Sequence, residues 1–67
     1  MTIFVKKVGT SKRGPFCTFI CDFGNGFVIN SIASLDGVEV KEETKYDDLY
    51  LEQQTFDGKV RYTLHKK

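Results

Sequence analysis

"FCTFICDFGNGFVINSIA", residues 16–33, is the stretch on which the fold turns. Two runs rich in aromatic and β-branched residues flank Gly24, Asn25 and Gly26, the pattern of a β-hairpin. A three-residue turn with Gly26 in the left-handed conformation pairs Phe23 with Phe27. That register sets Cys17, Phe19, Cys21 and Phe23 on one face with Phe27, Ile29 and Ser31, and this face is expected to form the core. A two-residue turn would instead oppose Phe23 to Val28 and bring Asn30 to the apolar side, so the pattern favours the longer turn.

A second hairpin is read in "LYLEQQTFDGKVRYTLH", residues 49–65, where Asp57-Gly58 is a two-residue turn signal between alternating residues. With Phe56 paired to Lys59, one face collects Leu49, Leu51, Gln53, Thr55, Val60, Tyr62 and Leu64 and is expected to be buried. The other collects Tyr50, Glu52, Gln54, Phe56, Lys59, Arg61, Thr63 and His65, two rings beside two cations. A short helix over residues 44–53 competes with this reading, because Tyr46, Leu49, Tyr50 and Gln53 also match helical spacing and "TKYD" can cap a helix. Residues 2–8, "TIFVKKV", make a further strand, and "VEVKEE" after Asp36-Gly37 another.

These elements describe an all-β chain, a single domain over residues 1–67 built as a small antiparallel barrel of five or six strands, OB-like in architecture. Closure is expected because it removes edges that so small a sheet has no other means of hiding. A chain of 67 residues leaves little room for a deep active site. The start, "MTIFVKKVG", lacks the apolar core of a signal peptide and no stretch is long and apolar enough to span a membrane, which points to a protein kept in the cytoplasm, with no membrane partner.

Charge is sorted along the chain: +3 over residues 1–35, −5 over 36–52 and +3 over 53–67. If the two basic ends fold side by side, the positive flank attracts a polyanion. The plain alternative is solvated charge.

Catalytic and metal chemistry find little support. Cys17 and Cys21 lie about 13 Å apart in one strand, beyond the roughly 7 Å a disulfide tolerates, so they are expected as reduced core thiols. His65 is the one histidine and there is no third cysteine, so neither a zinc site nor any cofactor is expected. Cys21 faces inward and His65 outward, so they make no nucleophile and base. Asp47 and Asp48, adjacent in a strand, point to opposite faces and form no acid–base pair. The glycines all punctuate turns, and the chain reads as a binding protein, not an enzyme.

The binding surface is sought around "GTSKRGPF", residues 9–16. Lys12 and Arg13 on a loop between Gly9 and Gly14 can follow a phosphate backbone, and exposed rings beside them can stack on unpaired bases. Phe16, Tyr50 and Phe56 are the candidate rings, with Phe4 a further one; Lys59 and Arg61 extend the cationic surface. Each has a structural alternative: Phe16 closing the barrel end, Phe56 packing on Lys59, Lys12 and Arg13 in a solvated loop.

"KRGPF" followed by "CDFGNGFVI" resembles a segment of the small filamentous-phage single-stranded-DNA-binding proteins, in which a basic, glycine-containing loop leads through a proline and an aromatic residue into a hairpin strand. The likeness spans residues 9–30. It implies an OB-fold barrel, a homodimer and the coating of single strands, DNA ahead of RNA, with Lys12 and Arg13 on phosphates and Phe16 stacking on a base. A different function remains open: a small phage or mobile-element protein that binds and inhibits a host protein through its acidic face and the rings of Tyr46, Tyr50 and Phe56.

Overall fold

The computed structural model describes all 67 residues. Six strands, β1 (Thr2–Ser11), β2 (Gly14–Asp22), β3 (Val28–Leu35), β4 (Thr44–Tyr46), β5 (Leu49–Phe56) and β6 (Lys59–Lys66), form one sheet in the order β4-β1-β2-β3-β6-β5. The chain is all-β. The helix weighed over residues 44–53 is not formed; β4 and β5 occupy that stretch, because Leu49 and Leu51 are needed on a sheet face opposite Leu64.

The expected antiparallel closed barrel is also corrected. Neighbours pair antiparallel except β3 and β6, which run parallel over Ala33–Tyr62, Ser34–Thr63 and Leu35–Leu64, and β4 and β5 stand at opposite edges of a sheet that does not close. Yet those edges are joined by Asp47 and Asp48 alone. A flat sheet of six strands would be roughly 24 Å wide, whereas the three Cα steps from Tyr46 to Leu49 reach at most about 11 Å. The sheet therefore curls until its first and last strands come near each other.

Curling gives the sheet an inside. Ile3, Val5, Cys17, Phe19, Cys21, Ala33, Leu35, Leu49 and Leu64 are buried there, and Phe19 meets Tyr62 edge to face with ring centroids 5.8 Å apart. "VEVKEE" is not a strand. Residues 36–43 instead cross from β3 to β4, with Val38 and Val40 packed against the core and the Lys41 N–H donating to the Tyr46 hydroxyl at 2.7 Å. Its apolar residues serve as cover rather than ladder.

Both hairpins have the expected registers. Gly24 and Gly26 take positive φ, Phe23 N–H donates to Phe27 O at 3.1 Å, and the Asp22 and Asn25 carboxyl and amide oxygens accept from the Gly24 and Phe27 N–H groups. Asp57 and Gly58 both have positive φ and place Phe56 opposite Lys59, as a two-residue primed turn requires. Their burial differs from expectation at the far ends. Phe23 and Phe27 lie exposed against each other, because β1 starts opposite Asp22 and nothing covers the hairpin beyond it. Gln53, Thr55 and Val60 are exposed because β3 supports β6 only from Tyr62 onward.

In β1 the register slips by one residue between Val5 and Lys7. Strict alternation from Ile3 and Val5 would turn Lys7 inward. The bulge at Lys6 sets Lys7 opposite Thr18 on the outer face and Val8 opposite Cys17 on the inner one.

Cys17 and Cys21 are free and fully buried, and burial pushes the Cys17 thiol up to about 11 from 9.0. A raised pKa means the folded state keeps a proton that the unfolded state releases, so stability is intact below pH 9 and declines from pH 9 to about 11. Urea unfolding midpoints across that interval are expected to fall, and Cys17→Ala, although less stable at pH 7, to fall less steeply.

Candidate functional site

The exposed side chains of interest lie on the outer face of the sheet and in the gap between β3 and β6. β3 and β6 pair over three residues and then part, leaving a fork between the first half of β3 and the start of β6. Arg13, Arg61, Ile32, Val60, Ser31, Ser34 and Tyr62 line a groove of about 480 Å³ in this fork. A second groove of about 310 Å³ adjoins it and shares Arg13, Ile32 and Ser34; Phe16 and Pro15 form its other wall.

Arg13 reaches the fork because of its turn. Lys12 and Arg13 are the two turn residues between β1 and β2, closed by the Ser11–Gly14 pair. Ser11 Oγ accepts from the Arg13 N–H and donates to Gly14 O, both at 3.2 Å, while Gly14 takes φ 113°, which costs a residue without a side chain nothing. Phe16 is half-buried and sits opposite Gly9 across the strand pair. A Cβ at position 9 would lie 2.7 Å from the Phe16 Cζ, so the ring lies down on the bare glycine backbone. This fixes the ring along one wall of the groove.

Electrostatics favour an anion here. No carboxylate lines either groove, although residues 36–52 carry seven of them. Nor does any lysine or arginine in the molecule lie within salt-bridge distance of a carboxylate; the two ion pairs both belong to His65. Arg13 and Arg61 keep their charge unspent. The acidic residues Glu42 and Glu43 precede β4, on the far side of β1, where Glu42 Oε2 accepts from the Val8 N–H at 2.9 Å.

Of the residues expected from the sequence, the fold thus joins Arg13, Arg61 and Phe16. Lys12 is exposed at the tip of the β1–β2 turn. Lys59 and Phe56 pair beside the Asp57-Gly58 turn, Phe56 being 67% exposed, at the far end of the same face. Tyr50 lies six residues from Phe56 on β5, roughly 20 Å away by strand rise, and its ring stacks on His65 with centroids 5.0 Å apart at 23°. Tyr46 is drawn in against the core, away from Tyr50 and Phe56. Phe4 is half-buried opposite Ile20 on the outer face of β1.

Ile32 and Val60 were not singled out by the sequence, nor was a cluster built on His65. Its Nε2 lies 2.5 Å from Glu52 Oε1 and its Nδ1 3.4 Å from Asp36 Oδ2. Glu52 could be inferred from the hairpin register, in which it stands diagonal to His65; Asp36 depends on the parallel pairing of β3 with β6. No group of three or more potential metal ligands is assembled, and no helix is long and apolar enough to cross a membrane. The chain matches no protein-family model, no curated protein and no solved structure.

Two outcomes are expected. Gly9→Ala forces the Phe16 ring off the backbone; the ring protons of Phe16 lose their contacts to Gly9 in NMR spectra while the core signals of Phe19 stay in place. The hydrogen bonds from His65 and then Gln54 hold the Glu52 carboxyl below 4.5. A lowered pKa stabilises the fold above pH 4.5 and ceases to do so as pH falls through the lowered value, so the acid-side loss of stability in urea is expected to be shallower in Glu52→Gln.

Proposed function

We propose that this protein binds single-stranded nucleic acid with little regard to base sequence, in the groove at the fork between β3 and β6. The observation that carries the reading is the meeting of Arg13 and Arg61, from opposite halves of the chain, in one groove free of carboxylates and walled by exposed Ile32 and Val60. Two unpaired guanidinium groups attract consecutive phosphates, and their fork of donors suits a phosphate better than an ammonium would. Phe16, held against Gly9 beside Arg13, offers a ring on which a base can stack. Lys12 extends the cationic track past the β1–β2 turn, and Lys59 with the exposed ring of Phe56 extends it toward the β5–β6 turn.

The resemblance of residues 9–30 to the small filamentous-phage single-stranded-DNA-binding proteins agrees with this surface. In this reading the curled sheet plays the part of an OB-like barrel, two copies act together as a dimer, and DNA in the cytoplasm is the favoured strand. The arrangement asks for no catalytic group or cofactor.

Fluorescence anisotropy with a labelled oligo-dT tests the reading. Affinity is expected to fall steeply with salt, and each arginine removed in Arg13→Ala or Arg61→Ala to lower the log–log salt slope by about 0.7. Lys45→Ala, on β4 at the opposite edge of the sheet, is expected to leave the slope unchanged. Binding that ignores both arginines, or an absence of binding at low salt, overturns the reading.

A further inference from the structure

We propose that His65 is a proton-operated clasp that sets the charge beside the Arg13–Arg61 groove, and through it the grip of that groove on a polyanion; the second half of this inference rests on the function proposed above. His65 is the chain's one histidine and 19% of its side chain is exposed. Its Nε2 faces Glu52 Oε1 at 2.5 Å and its Nδ1 faces Asp36 Oδ2 at 3.4 Å. Ionised carboxylate oxygens only accept hydrogen bonds, and a neutral imidazole has one N–H to give. At 3.4 Å the Asp36 contact is an ion pair without a hydrogen bond, and it is attractive only while the ring carries its second proton. A neutral ring keeps the Glu52 hydrogen bond and loses the attraction to Asp36.

The two carboxylates are not equally held. Glu52 is the nearer, and its other oxygen, Oε2, accepts from Gln54 Nε2 at 3.2 Å, so its position is fixed from two sides. Asp36 is 71% exposed, makes the longer contact and belongs to the turn that opens the 36–43 crossover. When the ring loses its proton, the remaining N–H stays with Glu52 and the Asp36 carboxylate turns to water. The Asp36 N–H, which donates to Leu64 O at 3.5 Å, is the last tie of that turn to β6. The other groups around the ring are Tyr50, stacked on its face from β5, and the following Lys66 and Lys67 at the chain end, Lys67 N–H donating to Asp48 O at 3.0 Å.

Protonated, the cluster of His65, Glu52 and Asp36 carries one net negative charge; deprotonated, it carries two. Its distance from the groove is short. Phe16, Ser34, Thr63 and Glu52 stand side by side on four adjoining strands, and Ser34 lines both grooves. Two strand spacings separate Ser34 from Glu52, roughly 10 Å, which is about one Debye length at 0.1 M salt. A phosphate in the groove therefore feels the added charge, more so at low ionic strength.

Two measurements on the full chain test this. In NMR spectra followed as the pH is raised from the acid side, the side-chain nitrogens of His65 are expected to pass from two protonated to one, with the backbone amides of Asp36 and Gly37 shifting in step. In His65→Gln those amides hold still. A ring that never carries two N–H groups while the fold persists, or amides that do not follow the ring, overturns the clasp. In parallel, the affinity for oligo-dT at low salt is expected to fall by about three- to tenfold over the same titration, and to stay flat in His65→Gln. A pH dependence that survives in His65→Gln, or a flat wild-type profile, overturns the link to the groove. Absence of oligo-dT binding at every pH removes the groove reading and with it the effect on affinity, while the ring and amide titrations still support or overturn the clasp.

Discussion

Asp47 and Asp48 tie the two outermost strands of one sheet together. The rest of the architecture follows from that short tether, because a strand order with β4 and β5 at opposite ends is compatible with a two-residue link only if the sheet bends round. Bending divides the side chains into an inner set that shares a core and an outer set that faces water. The β3–β4 connection passes over the inner side, where half-buried Val38 and Val40 add to the core that the strands begin. The Lys6 bulge adjusts β1 to the same division: it turns Lys7 to the outside, since a cation on the inner face would have no partner there.

The outer face is unusual for what its cations do not do. In a small domain with ten lysines and arginines and nine acids, many surface ion pairs would be unremarkable, yet only His65 makes any. Separation along the sequence accounts for this. Most of the acidic residues lie on the 36–43 crossover and the Asp47-Asp48 link, while Arg13 and Arg61 are held at the β1–β2 turn and on β6, and no carboxylate comes within salt-bridge distance of either. Such a surface gains little stability from its charges, since exposed pairs contribute about 0–1 kcal/mol, but it retains a directional field that a polyanion can use.

The fork between β3 and β6 has a related origin. Parallel pairing lasts for three residues, and the β5–β6 hairpin then projects with its tip exposed on both faces. The fork is flanked by Arg13, Arg61, Ser31 and Ser34 and by the exposed Ile32 and Val60.

Much of this was written in local chemistry. The Gly24–Gly26 and Asp57-Gly58 turns specify their hairpins, because positive φ and a fixed turn length leave one register, and period-2 alternation then assigns Cys17, Phe19, Cys21, Leu49 and Leu64 to the inside. Phe16, Arg13 and Arg61 could be nominated from residue type. What stayed hidden was every feature that depends on strands far apart in the chain. The parallel β3–β6 pairing decides that Arg61 meets Arg13, that Asp36 meets His65 and that Gln53, Thr55 and Val60 are left outside, and no local pattern encodes which strand a hairpin will join. The "VEVKEE" stretch alternates like a strand, yet it packs Val38 and Val40 over the core without pairing: alternation records which side chains are apolar, whereas the partner that covers them is settled by how the sheet curls and where its edges meet in space.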